Sequence, residues 1–367
     1  MTAMMIMIFL IIDIFIVLAF AFTPYVTRKT ELFGVSLPAK ERGLPELKKL
    51  CASFRNISLI IGAVFFGAVF AAAYAEKQEL RQVFILTVGL LLYLAVSFLI
   101  YLRYHNHMKR FKEGQSWKIE PAALIIDTEP AVRDNLSARW LLLYPLIAAV
   151  TAIALFALWP SLPGQIPIHA DITGAIDGWI NKDSGAFVTL LWPQWMLLAV
   201  FAATYLMIRV SKRQIDASDP IGSREQGRRF RKIVGGGMIF GGTVLSVGIS
   251  AIMLVMATGA SIKFVMLSPF VILACTIALT VILYVRVGQG GSRLRIRGKS
   301  TQGGAANVDD DRYWKAGVFY YNKNDPAFIV EKRFGIGWTM NFAHPAAIII
   351  IIATVLVIVG SVWIMAA

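Results

Sequence analysis

Residues 57–75 read ISLIIGAVFFGAVFAAAYA, residues 76–82 read EKQELRQ, and residues 83–102 read VFILTVGLLLYLAVSFLIYL. Two charge-free apolar runs flank a short polar turn. Each run has roughly the 20 residues that an α-helix needs to cross about 30 Å of hydrocarbon. The turn is so short that the second helix must return beside the first. The pair reads as a transmembrane helical hairpin.

Working outward, six more runs have the same character: Ala3–Thr23, Trp140–Leu158, Leu190–Ile208, Ile233–Ala257, Phe264–Val285 and Pro345–Met365. The 233–257 and 264–285 runs form a second hairpin through Thr258–Lys263. The fold class is an all-α polytopic integral membrane protein with about eight transmembrane helices. Composition agrees: 57% of residues are hydrophobic and 16% charged, against about 25% charged in soluble domains, and mean hydropathy is +0.66. A soluble enzyme and a disordered tail are poor readings. Two cysteines, Cys51 and Cys275, exclude a disulfide scaffold and a cysteine-based zinc site.

The loops set the orientation. Loops 24–56, 103–139, 209–232 and 286–344 hold 32 of the 36 basic residues, leaving only Lys77, Arg81, Lys182 and Lys263 on the other side. Basic loops stay cytoplasmic, so the expected location is the bacterial cell membrane, multi-pass, with both termini outside. The net charge of +14 then faces anionic lipid rather than nucleic acid. Ala19-Phe20-Ala21 resembles a signal-peptide cleavage site, but no basic residue precedes the apolar run, so the first segment reads as an uncleaved span.

Along the chain this gives an N-terminal membrane region 1–139 and a membrane domain 140–208 with an outer loop 159–189. A helical hairpin region 209–285, a basic flexible linker 286–308, a cytoplasmic element 309–344 and a last helix 345–367 follow. Leu44 to Arg55 reads as a short amphipathic helix on the inner membrane surface. His105-Asn106-His107 closes a helix, where residues two apart diverge, and so is no metal site. Gly237 and Gly241 are spaced for close helix approach. In the cytoplasmic element, Tyr313–Tyr321 and Phe328–Arg333 are strand-like, Asn322–Pro326 is turn chemistry, and Gly335–Asn341 continues extended. This small β-element is too short to stand alone.

The outer loop carries the most chemistry. Pro163 and Pro167 hold the approach to His169 extended, and Gly174 and Gly178 permit tight turns. His169, Asp171 and Asp177 are candidates to converge around a cation or a proton. Trp179 is an interfacial anchor. Three readings stay open: a rigid loop capped by these groups, a ligand- or peptide-recognition surface, or a catalytic or metal site.

The stretch L-P-x-x-I-P-x-H followed by G-x-x-D-G-W-x-x-K resembles the membrane domain of SdpI-like bacterial immunity proteins. Leu162, Pro163, Ile166, Pro167 and His169 match its first half, and Gly174, Asp177, Gly178, Trp179 and Lys182 its second. A second motif from Asp309 to Phe342 resembles an uncharacterised domain attached to such proteins in Gram-positive bacteria. Its residues include Trp314, Gly317, Tyr321, Asn322, Asp325, Pro326, Arg333, Gly335, Gly337, Trp338 and Asn341. The resemblance implies protection against, or sensing of, a secreted toxin or antimicrobial peptide, with signalling to a cytoplasmic regulator. The expectation is a non-enzymatic protein over an enzyme, without cofactor or metal; the lipid bilayer is its partner, and the resemblance adds a secreted peptide outside and that regulator inside.

Two alternatives remain: a membrane-embedded enzyme using His169 with Asp171 or Asp177, and a transporter using Asp13. Asp13 is the one charge inside a span, where a carboxylate costs about 2.5–3.5 kcal/mol on insertion scales. It reads as helix–helix glue or as a proton or ion site. Thr87, Ser97, Thr243, Ser246 and Thr276 are its candidate polar partners.

Overall fold

The computed structural model describes residues 3–115, 117, 136–170, 174–213, 215, 220–294 and 309–353. Among them, seven helices are long and apolar enough to cross a membrane. These are α1 (Ala3–Val26), α2 (Pro45–Ala75), α3 (Glu79–Glu113), α4 (Leu143–Leu158), α5 (Ser184–Val210), α6 (Pro220–Thr258) and α7 (Ile262–Arg286). The protein is an all-α polytopic membrane protein with small strand pairs. The eighth expected span is helical over 345–353, and its remainder lies outside the described residues.

Helices α1, α2 and α3 form one bundle, and α4, α5 and α6 another, with α7 packed on α6. The bundles meet where Tyr284 of α7 donates to Thr23 Oγ1 of α1 at 2.9 Å. The close-approach glycines of α6 serve this chain's own packing, Gly237 facing Leu283 and Gly241 facing Leu279 of α7. The outward helix surfaces carry large apolar side chains such as Ile60, Val64, Leu99, Ile153 and Phe240, as lipid contact requires.

One expectation fails at α2. Residues 44–55 are not a separate surface helix but the first turns of α2 itself. Pro45 opens the helix, where a missing N–H costs nothing. Leu47, Cys51 and Phe54 then run into Ser58, Gly62, Phe66 and Ala73 as one buried stripe. A single face at helical spacing thus serves both the loop-side turns and the span.

The ends of the bundles differ. The side carrying the basic loops, hereafter the basic face, holds three strand pairs: β1–β2 (Glu31–Leu32 with Val35–Ser36), β5–β6 (Trp314–Lys315 with Phe319–Tyr320) and β7–β8 (Ile329–Glu331 with Trp338–Met340). The opposite face holds β3–β4 (Gln165–Ala170 with Ile176–Asn181). Residues 313–321 are not one strand. Trp314 pairs with Tyr320 and Lys315 with Phe319, because Ala316 (φ 51°) and Gly317 (φ 69°) reverse the chain in the left-handed region. Nor are residues 288–294 a flexible linker. Gln289 is fully buried; its Nε2 donates to Lys332 O and Gly337 O, both at 3.0 Å.

Candidate functional site

Leu162 and Ile166 anchor β3–β4 to the helix ends, packing with Leu155, Ala186, Leu190 and Ala257. Lys182 fastens its base: the backbone N–H donates to Gly164 O at 2.8 Å and Nζ to Leu162 O at 2.8 Å. The ammonium also lies 5.8 Å from the centre of the Trp159 ring, within cation–π range. Asp183 then caps α5 by accepting from Ala186 N at 3.0 Å.

The register sets Ile166 opposite Ile180, Pro167 opposite Trp179 and His169 opposite Gly178, with bulges on either side of His169. Gly178 is needed there, since a Cβ would lie 2.6 Å from His169 Cβ. Along β4 burial alternates, turning Asp177, Trp179 and Asn181 outward. His169 Nδ1 bonds Asp177 Oδ1 with side chains 68% and 50% exposed. Of the three groups expected to converge, two meet; Asp171 lies outside the described residues. Gly174 (φ 89°) turns beside Ile262 and Met266 of α7, and Pro163 is exposed. No group of three or more metal-ligating side chains exists among the described residues. Trp179 is 50% exposed, and Ile168, Trp192 and Trp195 also stand open.

The basic face is built in the opposite way. Arg28 pairs with Glu331 of β7 and lies 3.6 Å from Glu31. Arg231 of α6 reaches Glu331 at 4.0 Å and donates to Ile208 O, Ser211 O and Lys212 O. Arg333 pairs with Asp310 and Asp311 and donates to Gly34 O at 3.0 Å. Lys112 of α3 bonds Asp311 at 2.7 Å and Asp309 at 3.0 Å. Burial lowers the Arg28 guanidinium and raises the Glu31 carboxyl from their ordinary values. Burial also works against the Asp311 carboxylate, yet Arg333 and Lys112 hold it below the usual range. Asp325 is held low in the same sense, against burial, by Lys212 at 2.6 Å and the Ala327 N–H.

The β1–β2 turn is the keystone of this junction. Phe33 (φ 49°) and Gly34 (φ 76°) are both left-handed. Phe33 packs on Phe54, Tyr104 and Phe334, while its carbonyl accepts from Tyr101 at 3.1 Å and lies 2.8 Å from His105 Nδ1. Gly317 presses on the same pair, since a Cβ there would lie 2.6 Å from Tyr101 Oη.

The expected motif residues on this face are knitted together. Trp314 donates to Asp310 at 3.2 Å, Asn341 donates to Asn322 O at 2.8 Å and Asp325 O at 3.1 Å, and Trp338 packs on Phe230. Gly335 and Gly337 have positive φ; Tyr321 and Pro326 face outward. Sequence reasoning missed Arg28, Glu31, Gln289 and Glu331. Nothing local in their loops marked them out.

Asp13 is buried, and its Oδ1 has no hydrogen-bond partner among the described residues. Four expected partners lie elsewhere. Thr87 is exposed, Thr243 and Thr276 bond carbonyls of their own helices at 2.8 Å, and Ser246 donates to Gln194 at 2.7 Å. Only Ser97 shares the bundle and is buried.

Two family models match the chain. A domain of unknown function (DUF1648) matches residues 146–193, which span most of α4, the β3–β4 hairpin and the start of α5. A family of unknown function (DUF5808) matches residues 323–348, which contain β7 and β8. No curated protein and no solved structure matches.

Proposed function

We propose that this integral membrane protein recognises a secreted, apolar peptide at the β3–β4 hairpin, which faces the cell exterior, while the basic face lies in the cytoplasm. The observation that carries this reading is a hairpin rigidly bolted at its base whose upper side chains are open. Trp179, Ile168 and the His169–Asp177 pair stand exposed on a strand pair with unpaired outer edges among the described residues. Unpaired strand edges accept extended peptides, and alternate side chains supply selectivity. The similarity of Leu162–Lys182 to SdpI-like immunity proteins supports a protective or sensing role. The 32-to-4 split of basic residues supports the orientation.

The test is a challenge experiment. Cells producing the wild-type chain or Trp179→Ala/Asp177→Ala are exposed to the secreted peptide fraction of competing bacteria. The wild type should raise survival and the double variant should not, at equal protein levels. Equal survival would contradict recognition at the hairpin. An impermeant thiol reagent on a chain lacking Cys51 and Cys275 checks orientation: Asp177→Cys should react in intact cells and Lys323→Cys should not.

A further inference from the structure

The α1–α3 bundle holds a column of buried oxygen atoms that peptide recognition does not use. Val17 of α1, Gly62 of α2 and Tyr93 of α3 meet at one level, where a Cβ on Gly62 would lie 2.6 Å from Val17 and 3.2 Å from Tyr93 Oη. Asp13 lies one turn from that level toward the hairpin side, on the Val17 stripe. Ser58 and Ser97 lie one turn toward the basic face. Asp13 Oδ1, Ser58 Oγ and Gln82 Oε1 have no hydrogen-bond partner among the described residues. Tyr93 and Ser97, a turn apart, have at most one another. The column then reaches Tyr101 and His105, whose side chains bond Phe33 O at the basic face.

At 1.5 Å per residue, Gln82 to His105 spans about 35 Å of α3, slightly more than the hydrocarbon thickness. From Asp13 to His105 the polar groups recur each turn, about 6 Å apart, the reach of one water bonded on both sides. Gln82 to Asp13 is a step of about 10 Å along the axis, the reach of three waters, past the apolar side chains of Phe9, Ala73 and Leu86. Such a column is unlike a structural network, in which buried polar groups satisfy one another.

The titratable groups turned into the bundle are Asp13 on α1 and Tyr93, Tyr101, Tyr104 and His105 on α3. Tyr284 of α7 joins them beside Thr23, and Arg333 lies beyond Tyr101 at the basic end. From α2 only Cys51 turns inward, near the basic end, because Tyr74 faces outward. No Lys or Arg accompanies Asp13 within the span. A lone carboxyl in such surroundings is balanced electrically by a proton, and intramembrane carboxyls of this kind serve proton relays.

We propose that α1–α3 carry a proton pathway across the membrane, with Asp13 as its obligatory proton-binding group. Asp13 takes a proton from the Gln82 side and passes it through water toward Tyr93, Ser58 and Ser97, so that one proton enters for each that leaves.

The full-length protein in liposomes containing a trapped pH dye tests this, with a potassium gradient and valinomycin setting the voltage. Wild-type vesicles should take up protons several-fold faster than protein-free vesicles. Asp13→Asn, inserted in equal amount, should fall to the protein-free rate, whereas Asp13→Glu should keep at least a third of the wild-type rate. Infrared difference spectra should show a protonated-carboxyl band that Asp13→Asn removes. Wild-type uptake no faster than empty vesicles, unchanged uptake in Asp13→Asn, or a current carried by sodium without proton movement would each overturn the proposal.

Discussion

The two ends of this protein handle charge in opposite ways. At the basic face, Arg28, Arg231, Arg333, Glu31 and Glu331 are all buried, and Glu331 joins Arg28 and Arg231 across segments far apart in sequence, while Arg28 also faces Glu31 and Arg333 pairs with Asp310. At the hairpin face, the His169–Asp177 contact stands open, its side chains 68% and 50% exposed. Buried pairs are not efficient sources of stability, but breaking one is costly because it strands a charge. They therefore impose a single arrangement of the N-terminal loop, α6 and the C-terminal strands. An exposed pair contributes little to the fold. One end fixes the fold through buried charges, and the other leaves its polar pair open to solvent.

The largest effect should come from breaking the buried end. Glu331→Ala leaves Arg28 and Arg231 buried together and should cost about 3–5 kcal/mol, visible as a large drop in the thermal midpoint of detergent-purified protein. Gly317→Val forces a Cβ-branched side chain into a φ of 69° beside Tyr101 and His105. It should cost about 2–4 kcal/mol from backbone and overpacking together. A loss below 1 kcal/mol in either variant would mean that the junction relaxes rather than locks.

Acid should separate the two ends by pH. The Asp311 and Asp325 carboxyls sit below their ordinary value of 3.8. Their contribution is complete above that value and is lost as pH falls through the lower folded-state values. Protection against hydrogen exchange over 309–341, relative to the free-chain rate at each pH, should hold steady from pH 7 to about 4 and fall only below it. Loosening near pH 5–6 would place the control on other groups. A smaller effect is expected at the hairpin. Gly178→Ala should cost about 1–3 kcal/mol through the clash with His169, and should disturb exchange in 165–181 alone.

The sequence made the spans legible because charge-free runs of bilayer length have few alternative fates. It also located the two motif regions. The pairing within them was less legible. Pro167 and the bulges beside His169 obscured the alternation of β3, and the left-handed pair Ala316-Gly317 hid a hairpin in what reads as one strand. The junction was opaque for a different reason. Arg28 and Glu331 lie at opposite ends of the chain, and nothing local in a basic loop distinguishes an arginine that will be buried. Asp13 was conspicuous, but its surroundings depend on which faces of α2 and α3 turn inward.

The most direct test of the contrast between the ends is paired binding and stability measurements on one variant. Full-length protein in nanodiscs is titrated with the secreted peptide fraction, comparing wild type with His169→Ala/Asp177→Ala/Trp179→Ala. Peptide binding should fall at least tenfold, with a thermal midpoint within about 2 °C of wild type. Undiminished binding, or a collapse in stability, would contradict it.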